Sequence, residues 1–267
     1  AVLTPDVLVV SVGDDSGQNG DALAVYADVY AALADKGIAI NAPAGDYMSA
    51  AWGNWNKKDQ PFVTDADYGA IIWPALDSNA LAAASLDEVK RTDGQPLPDA
   101  SPSYFSSWGV TPDLRLKPEI AAPGGAVMSA LPGNEYGRRA GTAEASAQVA
   151  GIAALVRQRI ADDPMFAGMS AADKDAVVAN FLMGTAHPVV DATQADGAFY
   201  SPRQVGSGLV DAVAATTSPV YPSVVGAANP SRPKADLGDG TDGWSFQVQL
   251  TNVSGTDRTY TLGGQAL

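Results

Sequence analysis

The sequence predicts an α/β fold built on a parallel sheet flanked by helices, and three observations carry that expectation. A β-branched run at residues 7–12 is followed by a helical pattern and, by residue 41, a second short apolar run, which is the layout of a strand–helix–strand unit. A run of small and apolar residues at 141–156 has the length of a helix, and Ala and Gly let such a helix approach a sheet closely. Hydrophobic residues make up 46% of the chain and charged residues only 17%, which is the composition of a packed globular protein rather than a disordered one.

The elements follow in order. Residues 7–12 read as a strand buried on both faces and closed by Gly13. After a polar loop, residues 21–36 place Leu23, Tyr26, Tyr30 and Leu33 at helical spacing and end at Gly37, a suitable C-terminal cap. Residues 38–41 form the second strand, and the loop 42–46 leaves its carboxyl end, where open parallel sheets bind ligands. Residues 47–67, with Trp52, Trp55, Lys57 and Lys58, read as a surface loop with anchoring aromatics, and residues 91–101 as a polar, Pro-rich linker. The helix at 142–156 is expected to be buried on most sides, with Thr142 as N-cap and Glu144 at the positive end of the helix dipole. Asp162-Asp163-Pro164 stops it. Ser170 caps a helix over 171–183, and Gly206 and Gly208 permit tight turns before a short helix from Asp211.

The composition then shifts. Residues 218–240 are rich in Pro, Ser and Gly, residues 244–250 alternate with period two, and residues 258–262 alternate again beyond a turn at 254–257. This predicts a β-hairpin between those two runs. Residues 1–6 run straight into the first strand, so the chain is expected to begin in the middle of a fold and to expose a sheet edge. Dimerisation or association through that edge is the corresponding expectation.

Charge and composition exclude several classes of function. A formal charge of −14 and a pI near 4.2 argue against nucleic acid or an anionic membrane as partner. The absence of cysteine removes disulfides, thiolate metal sites and cysteine nucleophiles. No stretch is long and apolar enough to predict a membrane span.

The segment Gly141-Thr-Ala-Glu-Ala-Ser-Ala-Gln-Val-Ala-Gly151 resembles the nucleophile segment of subtilisin-like serine proteases, Gly-Thr-Ser-Met-Ala-Ser-Pro-His-Val-Ala-Gly, at seven of eleven positions. Further segments resemble the family in the same order. Residues 6–13 are similar to the strand ending Ser-Leu-Gly, residues 44–46 to Ala-Gly-Asn, and residues 69–74 and 79–85 to a substrate-pocket strand and a core strand. Tyr104-Phe-Ser-Ser-Trp-Gly109 and Leu116-Lys-Pro-Glu-Ile-Ala-Ala-Pro-Gly-Gly125 resemble scaffold segments whose prolines and paired glycines fix turns near the central helix. Residues 200–212 resemble the end of the catalytic domain in the lactocepin-like cell-envelope proteinases.

The resemblance implies the carboxyl-terminal part of a subtilase catalytic domain over residues 1–216, with a parallel subtilisin-like sheet incomplete at its N-terminal side. Residues 217–267 would then be a linker and the opening of a fibronectin-like β-sandwich. By position, Ser11, Val12 and Gly13 would line the peptide groove together with Ala44, Gly45 and Thr142. The family nucleophile falls on Ala143, whose methyl group cannot attack a carbonyl. The asparagine that donates to the oxyanion falls on Asp46, and an ionised carboxylate there would repel the developing negative charge. Ser146 matches a second, non-nucleophilic serine. The family's Asp-Thr/Ser-Gly and His-Gly-Thr segments do not occur in these 267 residues, and His187, the single histidine, follows the nucleophile helix instead of preceding it. Asp6 and Asp14 lack the family's acid context.

The expectation is therefore a relative of serine endopeptidases that is itself inactive, secreted or on the cell surface, with peptide or protein as ligand. The alternative is a degenerate pseudoprotease serving as a peptide-binding or structural surface module. Glu144, Ala147, Gln148 and Asp46 depart from the pattern together with Ala143, which a single substitution does not produce. No organic cofactor is implied. Calcium is common in the family, and the scattered aspartates suggest no particular ligand set.

Overall fold

The computed structural model describes residues 5–13, 20–48, 70–87, 100–194, 197–227, 229, 232–237 and 243–264. The aromatic-rich loop expected at 47–67 and the linker expected at 91–101 lie for the most part outside these residues.

Strands β1 (Val7–Val9), β2 (Ala39–Pro43), β3 (Ala80–Asp87) and β5 (Ile120–Pro123) form a parallel sheet in the order β1-β2-β3-β5. The two-residue strand β4 (Ser101–Pro102) pairs antiparallel to the end of β3. Helix α1 (Gly20–Asp35) joins β1 to β2 and covers one face. Helices α2 (Thr142–Asp162) and α3 (Ala171–Gly184) cover the other. The sequence of β3 shows how three layers arise from one strand. Ala80 and Ala82 pack toward Tyr30 of α1 and Ile40 of β2, whereas Leu81 and Ala83 pack toward Val149 and Val156 of α2 and Val178 of α3. Because alternate residues are buried on opposite faces, the strand reads as a continuous apolar run.

Two expectations about burial are corrected. β1 is not buried on both faces: it has one neighbour, β2, among the described residues, and Val9 is exposed. Among the described residues it is therefore an edge strand. Helix α2 buries a single stripe, Ala145, Val149, Ala153, Val156 and Ile160, while Ala147, Gly151, Ala154 and Leu155 face outward. The spacing of its larger apolar residues sets that stripe; small residues elsewhere permit burial but do not require it.

The remaining body follows the expected pattern. Ser170 caps α3, accepting from the Asp173 N–H at 3.1 Å and donating to the Asp173 carboxylate at 2.7 Å. Gly206 and Gly208 adopt φ of +59° and +109°. A Cβ on Gly206 would lie 2.2 Å from the Glu119 carbonyl carbon, so both conformation and space require glycine there. Asp211 caps the short helix α5 (Ala212–Thr217) after α4 (Pro202–Val205), with the Ala214 N–H donating at 2.8 Å.

The carboxyl-terminal hairpin is also corrected. After the outlying hairpin β6 (Val127–Leu131) and β7 (Glu135–Arg139), strands β8 (Val220–Val225) and β9 (Gln247–Asn252) pair antiparallel. Residues 258–262, expected to be the partner of 244–250, form no strand. β8 is fixed to the body before β9 meets it, since Tyr221 is buried in the main core edge-on to Phe181, with ring centroids 5.1 Å apart. An anchored strand is a better template than a free one. No second sheet of a sandwich is present among the described residues.

Under the sheet, Lys117 and Glu119 are each almost wholly buried. Lys117 Nζ donates to the carbonyls of Asp77 (3.0 Å) and Ala80 (2.8 Å) and lies 2.9 Å from Glu119 Oε1. Glu119 also accepts from the Ala82 N–H at 2.7 Å and from Lys234 Nζ at 2.9 Å. Lys234 additionally donates to the Leu116 carbonyl. Burial pulls the Lys117 ammonium down, to about 7, against the opposing pull of Glu119. Burial pushes the Glu119 carboxyl up, but the charges of Lys117, Lys234 and Arg232 overcome it and hold it down at about 2.

Candidate active-site groove

The groove forms where β1 and β2 end and α2 begins. Val10 donates to the Asn41 carbonyl at 3.0 Å, continuing the parallel ladder one residue past β1. Residues 11–13 then leave the sheet, all exposed, and make no backbone hydrogen bond among the described residues. From β2, Ala44 is tied to the sheet through the Ala83 carbonyl (2.9 Å), and Gly45 through the Ser107 N–H, which donates to its carbonyl at 2.8 Å. The Gly124 carbonyl accepts from the Gly141 N–H at 2.9 Å and sets the start of α2.

Thr142 is not the N-cap expected from the sequence. It is the first residue inside the helix, after Gly141, and the cap comes from another loop. Asp46 Oδ1 accepts from the Thr142 N–H at 3.0 Å and from its hydroxyl at 2.8 Å, while the same hydroxyl accepts from the Gly45 N–H at 3.1 Å. A carboxylate at this point satisfies an orphan helix donor and sits at the positive end of the helix dipole. We expect Asp46→Ala to lower stability by about 1 kcal/mol, the ordinary worth of a helix cap, read from the urea midpoint; an unchanged midpoint would show that the contact carries no weight.

Ala143 occupies the first turn with its side chain facing the groove. It lines a cavity of about 250 Å³ together with Ser11, Gly13, Gly45, Asp46 and Thr142. It also lines a neighbouring one of about 400 Å³ with Ser11, Ser129, Glu144 and Gln148. A third, about 270 Å³, continues past Gly13 between Val12, Tyr26, Tyr30 and Trp73. The first two share Ser11 and Ala143, and the third meets the first at Gly13. A larger concavity of about 460 Å³ lies around Asp6, Ala154, Arg157 and Lys174, some three helical turns down α2, and includes none of the site residues.

The Asp46 and Glu144 carboxylates are neighbours. A Cβ on Gly141 would lie 3.3 Å from Asp46 Oδ2 and 2.7 Å from Glu144 Oε2. Gln148, in place of the family histidine, donates its amide to the Pro123 carbonyl and so anchors the helix to β5. Ser146 donates to the Ala143 carbonyl at 2.9 Å and is fully buried, unavailable as a nucleophile.

Of the residues singled out in the sequence, Ser11, Gly13, Gly45, Asp46, Thr142 and Ala143 share one cavity, and Val12 lines the next. Ala44 does not reach the groove: it is buried, and its carbonyl accepts from the Ile72 N–H at 3.0 Å. His187 lies elsewhere, paired through Nε2 with Asp211 at 2.7 Å. Burial pushes the Asp211 carboxyl up, but hydrogen bonds from the Ala214 N–H and His187 more than offset it and hold it below the usual range. This pair secures the start of α5 and is not part of the groove. Among the described residues no cluster of three acidic or histidine side chains marks a metal site. Ile72 and Trp73 belong to the segment 69–74 read as a substrate-pocket strand, and Trp73 packs against Tyr26 with ring centroids 5.7 Å apart. Glu144, beside Asp46, is given no role at the site by the sequence.

The arrangement matches a known family along most of the chain: the family model described as the subtilase family matches residues 4–208. The chain belongs to the subtilases. This subtilase is similar to a C5a peptidase of Streptococcus pyogenes, with 31% identity over 232 residues, covering 87% of the chain and 18% of that protein. It is 34% identical over 168 residues to a PII-type proteinase of Lacticaseibacillus paracasei and to a PI-type proteinase of Lactococcus lactis subsp. cremoris, in each case 60% of the chain and 9% of the relative. The chain thus spans less than a fifth of the length of these relatives. Among solved structures, the prenylagaramide maturation protease PagA superposes with a TM-score of 0.51 at 20% identity, covering 79% of this chain and 61% of that one, which shows a shared fold.

Proposed function

We propose that this subtilase chain holds an extended peptide in its groove without hydrolysing it. The observation that carries the reading is Ala143: the side chain facing the groove from the first turn of α2, where the family places its serine, is a methyl group. Acyl transfer requires a nucleophile and donors for the oxyanion. Here the carboxylate of Asp46 stands where an amide would donate, and its hydrogen-bonding capacity is turned toward Thr142. Peptide binding is supported separately by the backbone of residues 11–13, which is unpaired among the described residues and offers donors and acceptors for strand addition beside the cavity at Ala143.

The test is peptide turnover and labelling by a fluorophosphonate, a reagent that phosphonylates activated serines with loss of fluoride, in the parent chain and in Ala143→Ser. Both are expected to remain unlabelled with the fold intact by circular dichroism, while an immobilised peptide library is retained by the parent. Labelling at position 143 would mean that base and oxyanion donors are in place and would replace this reading with that of a protease lacking only its serine. The resemblance to cell-envelope proteinases also supports a location outside the cell or on its surface, which labelling of intact cells with an impermeant reagent would read.

A further inference from the structure

Strands β8 and β9 are joined by a long connection, and part of it is bound to the body at the end of the sheet opposite the groove. Asn229 Nδ2 donates to the Ser78 carbonyl at 2.6 Å, and Arg232 Nη2 donates to the Asn79 carbonyl at 2.9 Å. Lys234 Nζ donates to the Leu116 carbonyl and to Glu119 Oε1, and the Leu116 N–H donates to Asp236 Oδ1 at 2.9 Å. The side chains of Asn229, Arg232, Lys234 and Asp236 thus grip the segments that lead into β3 and β5. Arg232 is almost wholly buried and faces Asp175 of α3, Asn41 of β2 and Ala153 of α2 around one small internal cavity. Asn229 and Arg232 each precede a proline, Pro230 and Pro233, which biases both anchors toward extended backbone and lowers the entropy lost in seating them.

We infer that residues 229 and 232–236 are a strap that locks the connection of the β8–β9 ribbon onto the amino ends of β3 and β5, so that ribbon and body move as one piece and the boundary expected at residue 216 is not a hinge. A two-stranded ribbon is marginal alone in water, and nearly all of β9 is exposed. At its near end the ribbon is held by Tyr221 in the core and by the Val253 N–H, which donates to the Pro219 carbonyl at 2.8 Å. Neither contact reaches the far end, where Val225 pairs with Gln247 and both are exposed. The strap is the second attachment. Its seat is charged: Arg232 and Lys234 bring two cations to the buried carboxylate of Glu119, and Lys234 bonds it directly in the stronger, charge-assisted manner. Lifting the strap would remove two of the three cations that act on that carboxylate, so the closed arrangement is favoured.

The chain has no cysteine, so spin labels can be placed cleanly through Gln247→Cys at the far end of the ribbon and Leu155→Cys on the outer face of α2, both exposed positions. Double electron–electron resonance of this pair should give a single narrow distance when the strap is intact. Arg232→Met combined with Lys234→Met should lose that narrow distance to a broad distribution, with helicity unchanged by circular dichroism. Hydrogen exchange gives an independent readout. In the same double variant the Val225 and Gln247 amides should exchange faster by about tenfold or more, the worth of one hydrogen bond to a charged group, while the Val253 amide keeps its parental rate. A broad distance distribution with the strap intact overturns the inference, as does a double variant whose distances and exchange match the parent. Equal acceleration at Val253 would mean a general loss of stability instead of release of the strap, and overturns it too. If the double variant does not fold, Asp236→Ala, on the exposed side of the strap, replaces it and is read by the same two measurements.

Discussion

Replacing Glu119 by Gln is expected to destabilise the protein by about 3–5 kcal/mol, the cost of leaving a buried charge without its partner. Glu119 faces the charges of Lys117, Lys234 and Arg232, and it also accepts from the Ala82 backbone N–H. Gln keeps the shape but removes the charge, so the buried Lys117 ammonium retains only the Asp77 and Ala80 carbonyls and a neutral amide. The urea midpoint reads the loss directly, and Lys117→Met in the same background should recover part of it. A midpoint within experimental scatter of the parent would show that Glu119 is not the counter-ion of this cluster. The acid limb of stability carries the same signature. The carboxyl is held down at about 2 in the folded state, below its ordinary value, so its contribution is fully present above the ordinary carboxylate range and is lost as pH falls toward 2. That part of the acid dependence should be missing from Glu119→Gln.

Phe181→Ala should cost a similar amount, about 3–5 kcal/mol, as for other buried aromatic truncations. Phe181 is fully buried on α3, carries the guanidinium of Arg159 over its ring at 4.4 Å, and packs edge-on against Tyr221 of β8. Arg159 also donates to the carbonyls of Ser218 (2.6 Å) and Ala215 (3.3 Å), so one side chain holds both the core and the start of the final strand pair. The loss should therefore appear in two ways: a lower denaturation midpoint, and faster limited proteolysis between residues 217 and 247. Cleavage there at the parent rate would show that β8 is held by other contacts.

Much of the body was legible in the sequence because its signals are local. The helix-length run after Gly141, the Ser170 cap, the short helix following Asp211 and the turn glycines at 206 and 208 each depend on neighbours a few residues away, and the structure has all of them. The features that were not legible depend on partners far along the chain. Asp46 caps a helix that begins 96 residues later, so no window around Thr142 contains the capping group. The strand at Gln247–Asn252 has a pattern that specifies an edge but not a mate, and its mate lies inside the Pro-, Ser- and Gly-rich stretch 218–240, not after the next turn. Nothing local in that stretch marks Arg232 as a core residue, yet it is 2% exposed and donates to the Asn79 carbonyl at 2.9 Å. Ile72, whose side chain a Cβ on Gly13 or Gly45 would meet, belongs to the same class. Glycine at 13 and at 45 signals close approach, but the identity of the group that approaches is set by tertiary packing.

The double contact between Asp46 and Thr142 sets what a return to chemistry would require. A serine at position 143 alone would face a carboxylate that opposes the charge it must build up. An amide at position 46 would keep an oxygen able to accept from Thr142 and lose only the charge that favours the helix start, while position 143 would still carry a methyl group. The side chain at position 46, which the family pattern would turn toward a reacting carbonyl, is here tied to the first turn of a helix that starts 96 residues later, so a distant loop and the helix start are held as one piece.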